Sequence, residues 1–306
     1  MGKSDSGVRL KYHCVVALVD GTSAPYVYVG RENTAHDPNC TIEVIQRVLK
    51  SEEAKRGSLP KTLYLQLDNC TRENKNTAVS CFVSWLLERG VFERIEVSYL
   101  PVGHTHNRCD QCASRLAVGI RWKGAQCLDD FLAILRGCIT PNPHIEMLNS
   151  VANVVGMLNP TGTAAWTGSK CRFFEGILGL ERLVDRADLA HDGAGVSARH
   201  TSTHHFLFTR VHDGLNNPVP AVRTKKRYDD AHWSEPFFPF KAAPSGLRLE
   251  DIPSMSYKSV PRERLGVIRA GLSLSLSLSL SLATPHTLTL HTHTHKPHTH
   301  THTHTH

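Results

Sequence analysis

The stretch YLPVGHTHNRCDQCAS, residues 99–114, places five side chains that could bind a metal or move a proton within nine consecutive positions. They are His104, His106, Cys109, Asp110 and Cys112. Imidazole and thiolate groups bind zinc, but zinc modules usually take their two ligand pairs from separated segments, so that a tetrahedron can close. We therefore expect the two cysteines to be apolar side chains of a helix that begins after the loop. A zinc-binding interaction domain is the alternative.

Two carboxylates suggest a different metal chemistry. Asp68 follows the apolar stretch KTLYLQL, and Asp110 comes just after the next strand-like stretch. Cleavage of a phosphodiester by two metal ions needs carboxylates from different elements, converging on ions about 4 Å apart. Such ions are hard and take oxygen ligands. We predict that Asp68 and Asp110 are catalytic and bind Mg²⁺ or Mn²⁺. Spacing alone equally allows Asp68 to cap a turn and Asp110 to cap a helix.

The elements that must position these side chains follow from hydrophobic periodicity. The order is strand, strand, helix, strand, helix, strand, loop, helix. The stretches are Cys14–Val19, YVYVG at 26–30, DPNCTIEVIQRVLKSEEAKRG, KTLYLQLDN, NTAVSCFVSWLLERG, RIEVSYLPVG, and DDFLAILRG at 129–137. Strands that alternate with helices predict a mixed α/β sheet. Chemistry in such sheets collects beyond the carboxyl ends of the strands, where Asp68 and the loop 104–110 both fall.

Composition limits the location and the partners of the chain. The net charge of +7 over 306 residues permits an anionic partner without requiring one. No apolar run is long enough for a membrane helix, and the N-terminus lacks the apolar core of a signal peptide. The nine cysteines are odd in number, which is typical of reduced thiols. We predict an intracellular protein, nuclear or cytoplasmic, that is not secreted and does not contact a membrane.

The end of the chain alternates Leu with Ser and then His with Thr. CT and CA dinucleotide repeats encode these two patterns, so residues 271–306 resemble translated microsatellite DNA. We predict a disordered low-complexity segment without function. Leu-Ser alternation also has the period of a strand, which would make this segment an aggregation hazard.

The blocks LQLDN…ENKN and LPVGHTH…DQ, within LPKTLYLQLDNCTRENKNTAVSCFVSWLLERGVFERIEVSYLPVGHTH, resemble a domain family of unknown function. That family is widespread in protist, algal, fungal and animal genomes, and it is similar to the ribonuclease H-like cores of transposases and integrases. The resemblance implies a ribonuclease H-like mixed sheet flanked by helices. It implies that Asp68 is the second acid of a triad and Asp110 the third. His104 and His106 would orient a carboxylate, hold the scissile phosphate or bind metal.

Two departures from the family pattern put activity in doubt. Asn107 and Arg108 stand where the family usually has Glu and Asp, and a guanidinium there would compete with a divalent metal. The family's first acid lies on a strand upstream of the first strand of this chain, and Asp20-Gly21 fits the second strand better. We therefore expect the sheet to lack its first strand, which would leave an unpaired ladder.

The resemblance divides the chain into three parts. Residues 8–140 would be an N-terminally truncated ribonuclease H-like core, residues 141–260 a poorly defined appended region of the same family, and residues 271–306 the disordered repeat. The stretch RTKKRYDDAHW combines cations with Tyr228 and Trp233, which could contact phosphate and stack a base, although charge runs are often only a solvated face. The predicted nucleic-acid-binding residues are Asn69, Lys75, Arg223, Lys225, Lys226 and Arg227.

Three functional hypotheses remain open from the sequence. The first is a transposon-derived protein whose ancestral reaction was metal-dependent cleavage or transfer of DNA strands, and which is catalytically impaired. The second is a non-catalytic module that binds nucleic acid. The third is a translated fragment of decayed mobile DNA without function.

Overall fold

The computed structural model describes residues 11–22, 24–34, 36–100, 107–125, 127–155, 203–212, 216, 218–225, 228–236, 254–255 and 271–282. The strands are β1 Lys11–Val19, β2 Tyr26–Arg31, β3 Thr62–Leu67, β4 Arg94–Tyr99, β5 His144–Leu148, β6 Val151–Ala152, β7 His205–His212, β8 Pro218–Lys225, β9 Ser254–Met255 and β10 Gly271–Leu282. The helices are α1 Pro38–Arg56, α2 Thr77–Glu88, α3 Arg108–Lys123 and α4 Leu128–Gly137. The predicted order of elements is confirmed through β4, but two helices, α3 and α4, follow it where the predicted order had one.

Eight strands form one mixed sheet in the order β5-β2-β1-β10-β3-β4-β7-β8. Strands β1 and β2 are antiparallel, as a short turn between them requires, whereas β3 and β4 are parallel and are connected through α2. A second sheet contains only the short antiparallel pair β6 and β9. The fold is therefore mixed α/β, as predicted.

Helices cover both faces of the large sheet, because alternate residues of a strand point to opposite sides. On β1, Val15, Ala17 and Val19 belong to one buried cluster, and Cys14 and Val16 belong to another. The first cluster includes the apolar residues of α1 and α2, and the second includes those of α3 and α4. The sheet is thus the middle layer of a three-layer arrangement.

The helix ends follow the capping signals in the sequence. Asp37 accepts a hydrogen bond from the backbone N–H of Cys40 at the start of α1, and Gly57 ends that helix at a φ of 82°. Asn76 caps α2 by accepting from the N–H of Val79 at 3.1 Å. These caps set the residues at which α1 and α2 begin. The cap of α2 therefore also sets the residue at which the loop after β3 ends.

The Leu-Ser repeat forms a strand, which differs from the predicted disorder. We expected disorder over residues 271–306, but Gly271–Leu282 forms β10. This strand lies between β1 and β3, parallel to the former and antiparallel to the latter. Whether the sheet lacks the first strand of the family's fold stays a prediction. Strict alternation gives the repeat strand period, and the facing edges of β1 and β3 provide two ladders for it. Residues 283–306 lie outside the described residues.

Three strands within residues 141–260 belong to the large sheet. Strand β5 pairs with β2 at one edge of the large sheet, and β7 pairs with β4 near the other. These strands therefore extend the sheet that the strands of residues 8–140 form. Among the described residues, no helix is both long and apolar enough to span a membrane.

Candidate functional site

Asp68 lies directly beyond the carboxyl end of β3 and is exposed to solvent. Partial desolvation raises the pKa of its carboxyl group, the backbone N–H of Asn69 opposes this effect, and the charge of Asp110 raises the pKa further. The two carboxylates are therefore close enough for the charge of Asp110 to act on Asp68, and their joint metal binding stays a prediction.

Asp110 also caps a helix. The side chain of Asn107 accepts a 2.8 Å hydrogen bond from the N–H of Asp110, and the Asp110 carboxylate accepts one of 3.3 Å from the N–H of Asn107. This reciprocal pair is a capping box at the start of α3. The sequence left open whether Asp110 caps a helix or converges with Asp68 on a metal site. The structure shows the cap, and the shared metal site stays a prediction.

The ENKN block builds the loop between β3 and α2. The carbonyl oxygen of Cys70 accepts hydrogen bonds from the backbone N–H groups of Glu73, Asn74 and Lys75, which closes a tight turn. Asn74 is fully buried, and its Nδ2 donates to the Asp68 carbonyl oxygen at 3.3 Å. Asn74 thereby holds the backbone that carries the Asp68 carboxylate.

A cluster beside Asp68 was not predicted. Glu73 Oε1 lies 3.9 Å from His36 Nδ1, and the rings of His36 and His13 meet edge to face at 3.8 Å between centroids. Burial raises the pKa of Glu73, Arg72 partly offsets this, and Asp68 raises it further. Burial and the charge of Arg72 lower the pKa of His36, which favours a neutral imidazole. The available signal was a histidine inside the apolar strand KYHCVVALV, which spacing arguments overlooked.

Lys75 does not lie where a nucleic-acid ligand must lie. Its side chain is 2% exposed, and Nζ lies 5.4 Å from the centroid of the Tyr99 ring. Burial lowers the pKa of this lysine to about 8. The ammonium group packs inside the fold at the base of the ENKN loop, which does not favour the predicted contact of Lys75 with nucleic acid.

Asn69, the residue after Asp68, is partly exposed. Its Oδ1 atom is shielded from solvent and accepts no hydrogen bond from the described part of the chain. Its predicted contact with nucleic acid stays a prediction.

The two cysteines of the opening stretch lie in α3. Cys109 is buried, and Cys112 packs against the core cluster that α3 and α4 form with one face of the sheet. Burial raises the pKa of the Cys109 thiol to about 12 and also raises that of Cys112. Zinc binds thiolates, so protonated buried thiols favour the expected core role.

Asp20, which resembles the first acid of the family pattern, pairs with Arg108. Its carboxylate lies 3.3 Å from Arg108 Nη1, and both side chains are at least half exposed. Arg108 is thus held by an acid outside the Asp68–Asp110 pair. His104 and His106 lie outside the described residues.

The described acids fit a two-metal centre only in part. Carboxylates suit Mg²⁺ or Mn²⁺ chemically. Within the described ranges, however, no group of three or more His, Cys, Asp or Glu side chains is arranged to hold a metal ion. Among the described residues, the predicted metal ligands Asp68 and Asp110 are not joined by a third such side chain, and their binding of Mg²⁺ or Mn²⁺ stays a prediction.

A second candidate surface lies on β8 and the segment after it. Lys225 Nζ is 5.1 Å from the centroid of the Tyr228 ring and 4.8 Å from that of Trp233. Tyr228 is 73% exposed, and Arg223 is partly exposed on the same strand. Ser234 is fastened to β8 by a 2.8 Å hydrogen bond from its N–H to the Thr224 carbonyl oxygen. Lys226 and Arg227 lie outside the described residues.

The fold and the site define a mixed α/β protein. Its two candidate acids are Asp68, beyond the carboxyl end of the parallel strand β3, and Asp110, in the first turn of α3. Residues 3–177 match the domain of unknown function DUF7869, and the match covers more than half of the chain. The chain therefore belongs to the DUF7869 family. No curated protein and no solved structure matches the chain.

Proposed function

We propose that this protein is a ribonuclease H-like, transposon-derived protein whose ancestral reaction was metal-dependent cleavage or transfer of DNA strands. We further propose that this chain is catalytically impaired. The observation that supports the proposal is the position of Asp68 directly beyond β3 and of Asp110 in the first turn of α3, where the charge of Asp110 raises the pKa of Asp68. A carboxylate near a second negative charge becomes harder to ionise, and a bound cation relieves that repulsion.

The impairment rests on the residues around the pair. Arg108 places a guanidinium two residues before Asp110, and its ion-pair partner is the exposed Asp20. The described acids do not assemble a metal site. We therefore derive no catalytic step through a metal ion for this chain.

The test is to restore the Glu and the Asp that the family pattern has in place of Asn107 and Arg108. The double variant Asn107→Glu, Arg108→Asp should bind Mn²⁺ more tightly than the wild type by calorimetric titration, because it gains negative charge beside Asp68 and Asp110. Adding Asp68→Ala should remove the gain. Arg121→Asp, at the other end of the same helix, makes a similar change of charge away from the pair and is the matched control.

The same proteins should be assayed for cleavage of plasmid DNA with Mg²⁺ and with Mn²⁺. The proposal expects the wild type to cleave no faster than Asp68→Ala. A gain in Mn²⁺ affinity that Arg121→Asp reproduces, or that survives Asp68→Ala, would refute the acidic site. Efficient wild-type cleavage that depends on Asp68 would refute the impairment alone.

A second candidate function is binding of nucleic acid without catalysis. It is favoured by the aromatic and cationic surface of Lys225, Tyr228 and Trp233, with Arg223 on the same strand. Exposed aromatic rings stack bases, and each cation that neutralises a phosphate makes binding more sensitive to salt. Tyr228→Ala should weaken binding of single-stranded DNA, and Arg223→Ala should reduce the salt slope. Arg136→Ala, on α4, is the control for a cation elsewhere, and equal losses in all three variants would exclude this surface.

A further inference from the structure

Strand β10 is bordered by two strands that do not otherwise touch in the sheet. Leu278 is the register partner of Ala17 on β1 and of Leu67 on β3. Because β10 is parallel to β1 and antiparallel to β3, those two strands run in opposite directions. A strand of either direction placed between them is parallel to one neighbour and antiparallel to the other, so both directions can complete both ladders.

The repeat that forms β10 specifies its register weakly. A slip of two residues along an alternating Leu-Ser sequence restores the same residue type at every paired position. The pairing already contains one irregularity: Val16 follows Cys14 by two positions on β1, while their partners Leu274 and Ser277 are three apart. This extra residue is a bulge, and it reverses the phase of the alternation. The leucines pair with Tyr12 and Cys14 before it and with Ala17 and Val19 after it.

We propose that the space between β1 and β3 is a strand-acceptor site that also takes the Leu-Ser segment of a second copy of this chain. The acceptor binds through backbone ladders, and these do not distinguish one copy of an identical repeat from another. Since the acceptor site can pair with this repeat in several registers, it can pair equally well with the same repeat of a neighbouring molecule. Domain swapping exchanges such identical elements between protomers. This inference is independent of the proposed nuclease ancestry.

Pairing within one chain and pairing between copies differ in their dependence on concentration. The segment of the same chain has a fixed effective concentration, set by the linking residues, whereas a second copy competes by mass action. Fifteen residues, 256–270, connect β9 to β10 in the sequence. Exchange should therefore grow with protein concentration and should require an intact Leu-Ser segment.

The first experiment compares the full chain with two proline variants by sedimentation velocity over a roughly hundredfold range of concentration. Leu278→Pro removes a backbone N–H in the middle of a strand that is paired on both sides. Leu288→Pro makes the same change in the tail after β10. Wild type and Leu288→Pro should form dimers as concentration rises, and Leu278→Pro should not. Concentration-independent monomers for all three, or equal dimerisation of Leu278→Pro, would overturn the proposal.

A donor experiment covers the case in which Leu278→Pro folds poorly. Residues 271–282 are fused to an unrelated soluble carrier domain, and the full-length Leu278→Pro chain is titrated with it. The acceptor site should bind one donor per chain and raise the melting temperature by at least about 5 °C near saturation. The same carrier with a proline in the segment should do neither. If the intact donor neither binds nor stabilises the variant, whether or not the variant is folded alone, the acceptor site is refuted.

Discussion

Thr41 in α1 donates a 3.0 Å hydrogen bond to Oδ1 of Asn74, thirty-three residues later in the chain. Both side chains are fully buried, and the Tyr99 hydroxyl at the end of β4 donates to the backbone oxygen of Asn74 at 3.3 Å. The loop after β3 is thus fastened to α1 on one side and to β4 on the other. This arrangement explains physically why the ENKN block holds a buried amide beside an exposed acid.

Replacing Asn74 should destabilise the whole fold. Asn74→Ala removes the acceptor of the Thr41 hydroxyl and the donor to the Asp68 carbonyl oxygen, which leaves buried groups unsatisfied. We expect a loss of about 2–3 kcal/mol in the free energy of unfolding, measured by urea denaturation. Thr71→Val, at an exposed position of the same loop, should change it by less than about 0.5 kcal/mol. A double-mutant cycle with Thr41→Val should give a coupling energy, and strict additivity would mean that the bond contributes nothing.

Neutralising Asp110 should change the titration of Asp68. The Asp110 charge raises the pKa of the Asp68 carboxyl group, so Asp110→Asn should lower that pKa. Asparagine can still accept the hydrogen bond from the Asn107 N–H, so the helix cap should survive. The measurement is an NMR titration of the side-chain carboxyl carbon of Asp68. Asp129→Asn, which removes an exposed acid of α4, should leave the Asp68 pKa unchanged. A rise in that pKa in Asp110→Asn would contradict the contact.

The buried Lys75 should make the free energy of unfolding depend on pH in the alkaline range. Burial lowers its pKa from 10.5 to about 8 in the folded protein. Between these two values the unfolded chain binds more protons than the folded one, so the cost of burying the lysine falls as pH rises from 8 to 10.5. Well below pH 8 both states are protonated, and the burial of the charge costs its full amount. The gain across the interval should reach up to about 3 kcal/mol.

Other buried groups act in the opposite direction over part of this range. Burial raises the thiol pKa of Cys14 and Cys40 to about 12, which favours unfolding at high pH. The test is therefore a difference between wild type and Lys75→Met, by chemical denaturation at several pH values. The difference in unfolding free energy should shift in favour of the wild type as pH rises. A difference that stays flat from pH 8 to 10.5 would show that Lys75 titrates normally.

The two residues that depart from the family pattern should contribute unequally to stability. Asn107 caps α3 through its hydrogen bond with the N–H of Asp110, so Asn107→Ala should cost about 1 kcal/mol. Arg108 makes only an exposed ion pair with Asp20 among the described contacts, so Arg108→Ala should cost less than about 0.5 kcal/mol. Thermal unfolding of both variants checks the ranking, and the reverse order would show that the ion pair matters more than the cap.

Local pattern determined most of the individual elements. The alternation in KTLYLQL and RIEVSY predicted β3 and β4, and these strands show the expected alternate burial of their side chains. The apolar face of NTAVSCFVSWLLERG predicted α2, which ends next to Gly90. Such signals depend on neighbours within a few residues, so a sequence read along its length carries them directly.

The tertiary structure decided which distant residues meet. Whether Lys75 is exposed depends on Tyr99 and on the strands around it, and the link from Glu73 to His36 and His13 joins three separate segments. The Leu-Ser repeat has strand period in the sequence, but only the facing edges of β1 and β3 determine where that strand is placed. Periodicity specifies the type of an element and which of its faces is apolar. The choice of partner is set by burial and by backbone hydrogen bonds across the fold, and these depend on many residues at once.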